Sequence, residues 1–317
     1  MTEAVTSKRP DAGFWSSART FFLPVGNHID PEDVRGYPID LRVKADSPRG
    51  LSPQLLRPGS LHVGITQYGL GCYERWLAGE GSQWLEAAVS VGRYLVKIQE
   101  PDGSWLHREP FPHTFTLQPP WASGITQGQG ASLLLRLYAQ TGDAELPAAA
   151  RRALSPLFTL QSEGGVCGGL AGLPWPEEYP TTPQSHVLNG AIFALWGIRD
   201  VGLALRDDEA REQFERGLHS LATNLHRFDT GSWSLYSLFP HPISNRASSF
   251  YHDLHVNQLT AMQLLAPRPE FEQTRDRWAG YARSRYARAK AFAWKAGFRI
   301  LVPRNRLLAR TAPWTRG

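Results

Sequence analysis

Helices that are apolar on every side cannot stand at a protein surface, and this sequence holds two of them. Val187–Ile198 (VLNGAIFALWGI) is apolar nearly all round and Ala131–Tyr138 (ASLLLRLY) almost as much, so both must be enclosed by other structure. Segments of the opposite character follow such helices. Trp84, Ala88, Val91 and Leu95 fall at i, i+4, i+7 and i+11, and the same offsets recur in Leu146, Ala150, Ala153 and Leu157 and in Phe214, Leu218, Leu221 and Leu225. Each set makes one apolar stripe on an otherwise polar helix, the pattern of an outer layer. Pairing buried with amphipathic segments predicts helical hairpins near 66–98, 125–159, 187–226 and 252–287, a loose repeat of roughly 35–60 residues. The predicted class is therefore all-α: an α/α toroid, incomplete or full, with inner and outer rings of helices. In an up-down bundle every helix would be amphipathic.

Three segments are expected along the chain. Residues 1–60 are Pro-rich and form an extended segment in which Tyr37–Lys44 alternates like a strand or half of a β-hairpin. Residues 61–287 carry the toroid, and residues 288–317 a basic amphipathic tail. With 42% hydrophobic residues and a net charge of only +5 across 317 residues, a disordered chain is excluded. No apolar run reaches the ~18 residues of a membrane span, and Met1–Pro10 lacks the apolar stretch of a secretory signal. Cys72 and Cys167 suggest neither a disulfide framework nor a zinc site. A soluble, reduced, cytoplasmic protein is the expectation, with no metal and no nucleic-acid partner. No phosphate-cradling glycine loop and no Gly-x-Ser-x-Gly elbow occurs, which argues against nucleotide enzymes and α/β hydrolases.

Charge is uneven. Thr274–Gly317 holds 12 Arg and Lys against one acid, about +11, so the remainder is near −6. Drawn as a helix, the tail puts Arg285, Arg288, Lys295 and Arg299 on one side and Tyr286, Trp294, Phe298 and Leu301 opposite, with Phe292 out of place. Such a helix suits either peripheral contact with an anionic membrane or a polyanionic glycan, or docking of its apolar side on the body.

The loops entering the inner helices converge on one mouth of a toroid. They are Trp121-Ala-Ser-Gly-Ile-Thr-Gln127, Trp175-Pro-Glu-Glu-Tyr-Pro-Thr-Thr-Pro183 and Ser249-Phe-Tyr-His252. Thr182-Pro183 reads as an N-cap followed by proline at the first helical position. Converging helix N-termini favour an anionic ligand. Glu177, Glu178 and Tyr179 on a proline-stiffened loop can be held rigidly against such a ligand; the plainer alternative is a solvated Glu177 with Tyr179 packed on Pro180. His252 and His255 lie three apart, a metal-binding spacing, but without a third ligand hydrogen-bonding roles are expected.

Trp175-Pro-Glu-Glu-Tyr-Pro-Thr-Thr-Pro-Gln-Ser-His-Val-Leu-Asn-Gly190 resembles the hallmark segment of the D-glucuronyl 5-epimerases, enzymes of heparin and heparan sulfate synthesis. Further similar segments occur in order: Gln67-Tyr-Gly-Leu70, Trp121–Gln129 with Leu133–Tyr138, Asp229-Thr-Gly231 with Ser234-Leu-Tyr236, Tyr251-His252 with His255–Leu259, and Arg277-Trp-Ala-Gly-Tyr281. The resemblance covers roughly residues 61–287, the helical catalytic domain. It implies a polysaccharide epimerase without cofactor, and a homodimer. It names Tyr179, Tyr251 and Tyr281 as acid/base candidates beside Glu178 and Asn189; the expected substrate-binding residues are Asn189, His252, Arg277, Gln127, Gln129, Trp121, Tyr68 and Tyr236. Two features depart from the family. The β-rich domain that the animal enzymes insert after Gln-Tyr-Gly-Leu is absent, and Ser248-Ser249-Phe250 stands where the family has Arg-Trp-Asp. The latter removes a cation expected near the sugar carboxylate, for which Arg246 and Arg277 are candidate replacements.

The chemistry accounts for the tyrosines. Inverting carbon 5 of a uronate removes a proton α to a carboxylate and returns one to the other face. The carboxylate must be neutralised so that charge can flow into an enediolate, with a base on one face and an acid on the other. A free phenol titrates near pH ~10, so one tyrosine must be held partly ionised by its neighbours. The expected activity is conversion of D-glucuronate to L-iduronate in a heparosan-like polymer, with Tyr179 and Tyr251 as the opposed pair and Tyr281 assisting. A uronate lyase working by β-elimination and a non-catalytic glycan-binding module are the alternatives.

Overall fold

The computed structural model describes residues 23–48, 50–52, 55–56 and 61–304. Helices α1 (His62–Leu77), α2 (Ser82–Ile98), α3 (Gly124–Thr141), α4 (Glu145–Arg152), α5 (Ser155–Phe158), α6 (Leu188–Ala204), α7 (Asp208–Asn224), α8 (Ser249–Leu265), α9 (Pro269–Arg283) and α10 (Arg285–Leu301) dominate it. Two antiparallel pairs of short strands accompany them, β1 (Cys167–Leu170) with β2 (Leu173–Pro176) and β3 (Leu235–Ser237) with β4 (Asn245–Arg246).

The inner layer runs α1, α3, α6, α8, each packed against the next; α2, α4, α7 and α9 fold back outside them. Burial follows the sequence pattern. Every residue of α3 from Gly124 to Leu137, and of α6 from Leu188 to Gly202, is buried, whereas α2 and α7 bury single faces, Trp84, Ala88, Val91 and Leu95 on one, Phe214, Leu218 and Leu221 on the other. The α3–α6 crossing is closest at two glycines: a Cβ on Gly128 would stand 2.6 Å from Ala194 Cα, and one on Gly197 2.3 Å from Gly128 Cα. The stripe from Leu146 to Leu157 is not one helix. It breaks between α4 and α5, where Pro156 lies in the first turn of the second helix; without an N–H, proline cannot continue a preceding helix.

Tyr37–Lys44 does not form a strand. A single bridge joins Val25 to Ile39, and the chain then turns into a 3-10 helix at Arg42–Lys44. Side chains of the inner helices take the place of a second strand. Tyr37 N–H donates to Glu74 at 2.8 Å, Arg136 donates to the Gly36 carbonyl at 2.7 Å, Arg199 to those of Asp30 and Pro31, and Asn257 to that of Leu23. The segment is thus a strap across the inner layer, with Tyr37, Ile39 and Leu41 fully buried in the main core. Residues 1–22 and 305–317 of the expected terminal segments lie outside the described residues.

The tail helix docks by a different face from the one its periodicity suggests. Ala287, Ala291 and Phe298 are buried, while Tyr286, Phe292, Ile300 and Leu301 are exposed. Two alanines let the backbone approach closely where larger side chains would hold it off. Trp294 donates its indole N–H to the Ser244 carbonyl. No helix among the described residues is long and apolar enough to cross a membrane.

Candidate active site

The loop after β2 alternates its two carboxylates between scaffold and cavity. Glu177 is fully buried and not solvated: its carboxylate accepts from Ser185 Oγ at 2.6 Å and His186 N–H at 2.9 Å, and its carbonyl accepts from Gly124 N–H. This grip ties the loop to the start of α3 and keeps residues 177–187 out of helix. Thr182–Pro183 therefore lies in the loop, and α6 begins at Leu188 instead. Glu178 points the other way. It lies against the first turn of α6, where Asn189 Nδ2 reaches its carboxylate at 3.5 Å and a Cβ on Gly190 would strike it at 2.5 Å.

Tyr179 comes next, its ring against His113, Phe115 and Trp121 at centroid distances of 4.7, 5.5 and 5.9 Å. Tyr236 arrives on β3. Tyr251 arrives in the first turn of α8, whose N-cap Ser248 accepts the Tyr251 N–H. The Tyr236 and Tyr251 rings meet edge to face at 4.8 Å, and Tyr236 is within hydrogen-bonding contact of both Tyr179 and Tyr251. Ile125, Asn189 and Tyr251, from the first turns of α3, α6 and α8, line the same cavity of about 280 Å³ as Glu178, Tyr179 and Tyr236.

Desolvation sets the protonation states. Burial, followed by the charge of Glu178, raises Tyr179 well above the usual phenol range. Tyr236 is raised in the same way. Tyr251 is pushed up only to about 12: burial and Glu178 raise it, and Arg304 and Arg299 pull it back. Burial also lifts Glu178 to about 7, so near neutrality it is partly a neutral acid able to donate a hydrogen bond.

Several sequence candidates lie elsewhere. Gln127 is spent on loop backbone, donating to the Gly103 and Ala153 carbonyls and accepting from Trp105 N–H. Gln129 accepts from Thr66 within the core, and Tyr68 donates to the Ser47 carbonyl. His252 is enclosed between Trp233 and the Trp278 carbonyl, with burial lowering it to about 4; one hydroxyl, Ser234 Oγ, joins its Nδ1 to that of His255. Arg277 pairs with Asp229 at 2.7 Å, and Tyr281 sits beside that pair rather than in the cavity lining. Trp121 stands behind Tyr179. Arg246 lies under the Trp294 ring at 4.4 Å.

The cavity's cationic wall was not anticipated. Lys295 and Arg299 of α10 line it together with Arg304 just beyond the helix. The one-turn spacing of Lys295 and Arg299 on the basic side of the tail is visible in the sequence, but nothing local indicates that this side faces inward.

The family described as D-glucuronyl C5-epimerase C-terminus matches residues 99–280, more than half of the chain. The chain belongs to this family. It is 33% identical over 224 residues to the D-glucuronyl C5-epimerase of Caenorhabditis elegans, a match spanning 65% of this chain and 36% of that one. It is 28% identical over 195 residues to an uncharacterised protein of Methanocaldococcus jannaschii, over 57% and 62% of the two chains. The chain thus covers less than two thirds of either relative. Among solved structures, the unsaturated glucuronyl hydrolase of Bacillus sp. GL1 is similar with a TM-score of 0.45 and 18% identity, over 73% of this chain and 61% of that one, too distant a likeness to bear on activity. The family match ends at Ala279-Gly280, before α10.

Proposed function

We propose that this chain inverts carbon 5 of D-glucuronate residues in a heparosan-like polysaccharide, giving L-iduronate. The observation that carries the reading is the meeting of Tyr179, Tyr236, Tyr251 and Glu178 in one cavity faced by cations, in a chain of the epimerase family. Tyr251, of the three cavity phenols the one closest to ionisation, takes the C5 proton as phenolate. The electron pair of the broken C–H bond moves into the carboxylate to form an enediolate. Tyr179 then delivers its proton to the opposite face and is left as phenolate. Between turnovers Tyr251 releases its proton and Tyr179 takes one up, through Tyr236 and in exchange with solvent, which resets the site. Glu178 and Asn189 orient the ring hydroxyls. The cycle is balanced in protons and reversible.

Incubation of heparosan with the protein in heavy water is the test. Deuterium is expected at C5 of the uronate, seen by NMR, without unsaturated sugar. Formation of an unsaturated product would mark β-elimination instead, and binding without exchange would mark a glycan-binding module.

We also propose that the outer face of α10 meets an anionic membrane surface. Tyr286, Phe292 and Ile300 are each exposed to more than two thirds, and exposed Arg285 and Lys290 lie among them, the combination by which interfacial helices bind. The protein is expected to float with vesicles containing phosphatidylserine but not with neutral ones. Replacing Phe292 and Ile300 by Asp should abolish flotation without affecting exchange; flotation unchanged by those substitutions would reject the contact.

A further inference from the structure

Several cations on the surrounding helices are matched by acids. Arg136 pairs with Asp200 at 2.6 Å, Arg277 with Asp229 and Arg288 with Asp253. The cations that line the cavity, Lys44, Lys295, Arg299 and Arg304, have no acid paired with them among the described residues. Lys295 is acted on by burial and by two further cations, Arg299 and Arg304, and by no acid. Arg299 is balanced only by the phenols of Tyr236 and Tyr251. The other titratable groups bearing on this wall are His113 and His241, both driven towards the neutral form by burial first and by these cations second. Glu178, across the cavity, acts on the phenols. Lys295, half-buried and with no acid beside it among the described residues, backed by the more exposed Arg299 and Arg304, makes a site for an anion.

We propose that Lys295 is the residue that binds the sugar carboxylate, an assignment that rests on the uronate reading above and uses a helix outside the segment shared with the family. Two of its three N–H donors are held by Asn245 Oδ1 at 2.7 Å and the Arg246 carbonyl at 2.9 Å, which fixes the ammonium and leaves one donor. The same ammonium sits 5.7 Å from the centre of the Tyr236 ring, which meets the Tyr251 ring edge to face and lines the cavity with Tyr179. The carboxylate carbon is bonded directly to C5, so a carboxylate held by Lys295 brings C5 to the phenols. Draining charge from the carboxylate is also what α-proton removal requires. Ser248-Ser249-Phe250 supplies no cation at the head of α8; α10, packed beside α8, supplies one to the same cavity.

The titration of Lys295 provides a readout that a structural role would not move. Burial lowers this lysine from 10.5 to about 7. Its charge is therefore present below neutrality and lost above it, so affinity for a carboxylate should fall as pH rises through that value. Heparosan oligosaccharides and their carboxyl methyl esters would be titrated calorimetrically into the wild type, Lys295→Met and Lys295→Arg across this range. The wild type should prefer the acid to the ester by roughly tenfold or more below neutrality, and this preference should decline with rising pH. Lys295→Met should lose the preference while still binding the ester. Lys295→Arg, which does not titrate, should keep a preference that no longer depends on pH. Equal affinity of the wild type for acid and ester, absence of binding, or a preference unchanged in Lys295→Met would overturn the assignment. Carboxylate preference lost in Lys295→Met, in a protein that exchanges no deuterium into C5, would uphold Lys295 and reject the epimerase reading instead.

Discussion

Tyr251→Phe and Tyr179→Phe are each expected to lower exchange of solvent deuterium into C5 by about 10²- to 10⁴-fold, the scale of a lost general acid or base. Both substitutions keep the ring, so the packing of Tyr179 on His113 and Trp121, and of Tyr251 on Tyr236, is retained and substrate affinity should change little. The two losses should differ in kind. Tyr251 is the phenol that Arg299 and Arg304 hold nearest to ionisation; without it no base remains for the forward proton. Tyr179 is held protonated by burial and by Glu178, so Tyr179→Phe removes the proton that completes inversion. A protein lacking only Tyr179 can still take the C5 proton and return a solvent-derived one to the same face, leaving slow exchange without iduronate. Tyr281→Phe, beside Asp229 and Arg277, should reduce exchange only severalfold. NMR of the polymer in heavy water reads both quantities, deuterium at C5 and the ratio of iduronate to glucuronate. Undiminished exchange in Tyr251→Phe would remove it from the mechanism.

The parts of this structure legible in sequence are those that periodicity controls. Long buried helices such as α6 and striped ones such as α7 announce themselves because their neighbours are apolar over several turns. What escaped were outcomes of contacts between distant residues. Thr182–Pro183 has the local chemistry of a helix start, yet the Glu177 carboxylate, by claiming Ser185 and His186, delays helix until Leu188. Gln127 and His252 read as ligands of substrate because polar groups stood out within apolar helices. They are instead the groups that satisfy the Gly103, Ala153 and Trp278 carbonyls, a need invisible until loops are placed against helices. The inward turn of Lys295 depends on Ala287 and Ala291, whose small side chains leave almost no hydrophobic stripe but permit close approach. Tyr179 and Tyr251 stand out in the sequence through motif resemblance alone; their separation of 72 positions in the chain carries no geometric information.

Asp200→Ala is expected to destabilise the fold by about 3–5 kcal/mol, the cost of stripping one partner from a buried ion pair, out of a total that for such proteins is about 5–15 kcal/mol. Asp200 and Arg136 are wholly enclosed. The carboxylate accepts from Arg136 at 2.6 Å, Ser132 Oγ at 2.8 Å and Arg199 at 3.2 Å, joining α3 to α6. Arg136 in turn holds the Gly36 carbonyl and stacks over Tyr37, so the pair also secures the strap across the inner layer. Removing Asp200 leaves two guanidinium groups facing one another without an acid. Arg136→Met in the same chain removes one of them and should recover part of the loss, because a neutral side chain of similar length fills the space. Recovery should stay incomplete, since the Gly36 carbonyl then has no donor from α3 and Arg199 keeps its charge. Urea unfolding reads these differences as shifts in midpoint at constant slope. A double variant no more stable than Asp200→Ala would mean that the strap contact, and not the unmatched charge, dominates the loss.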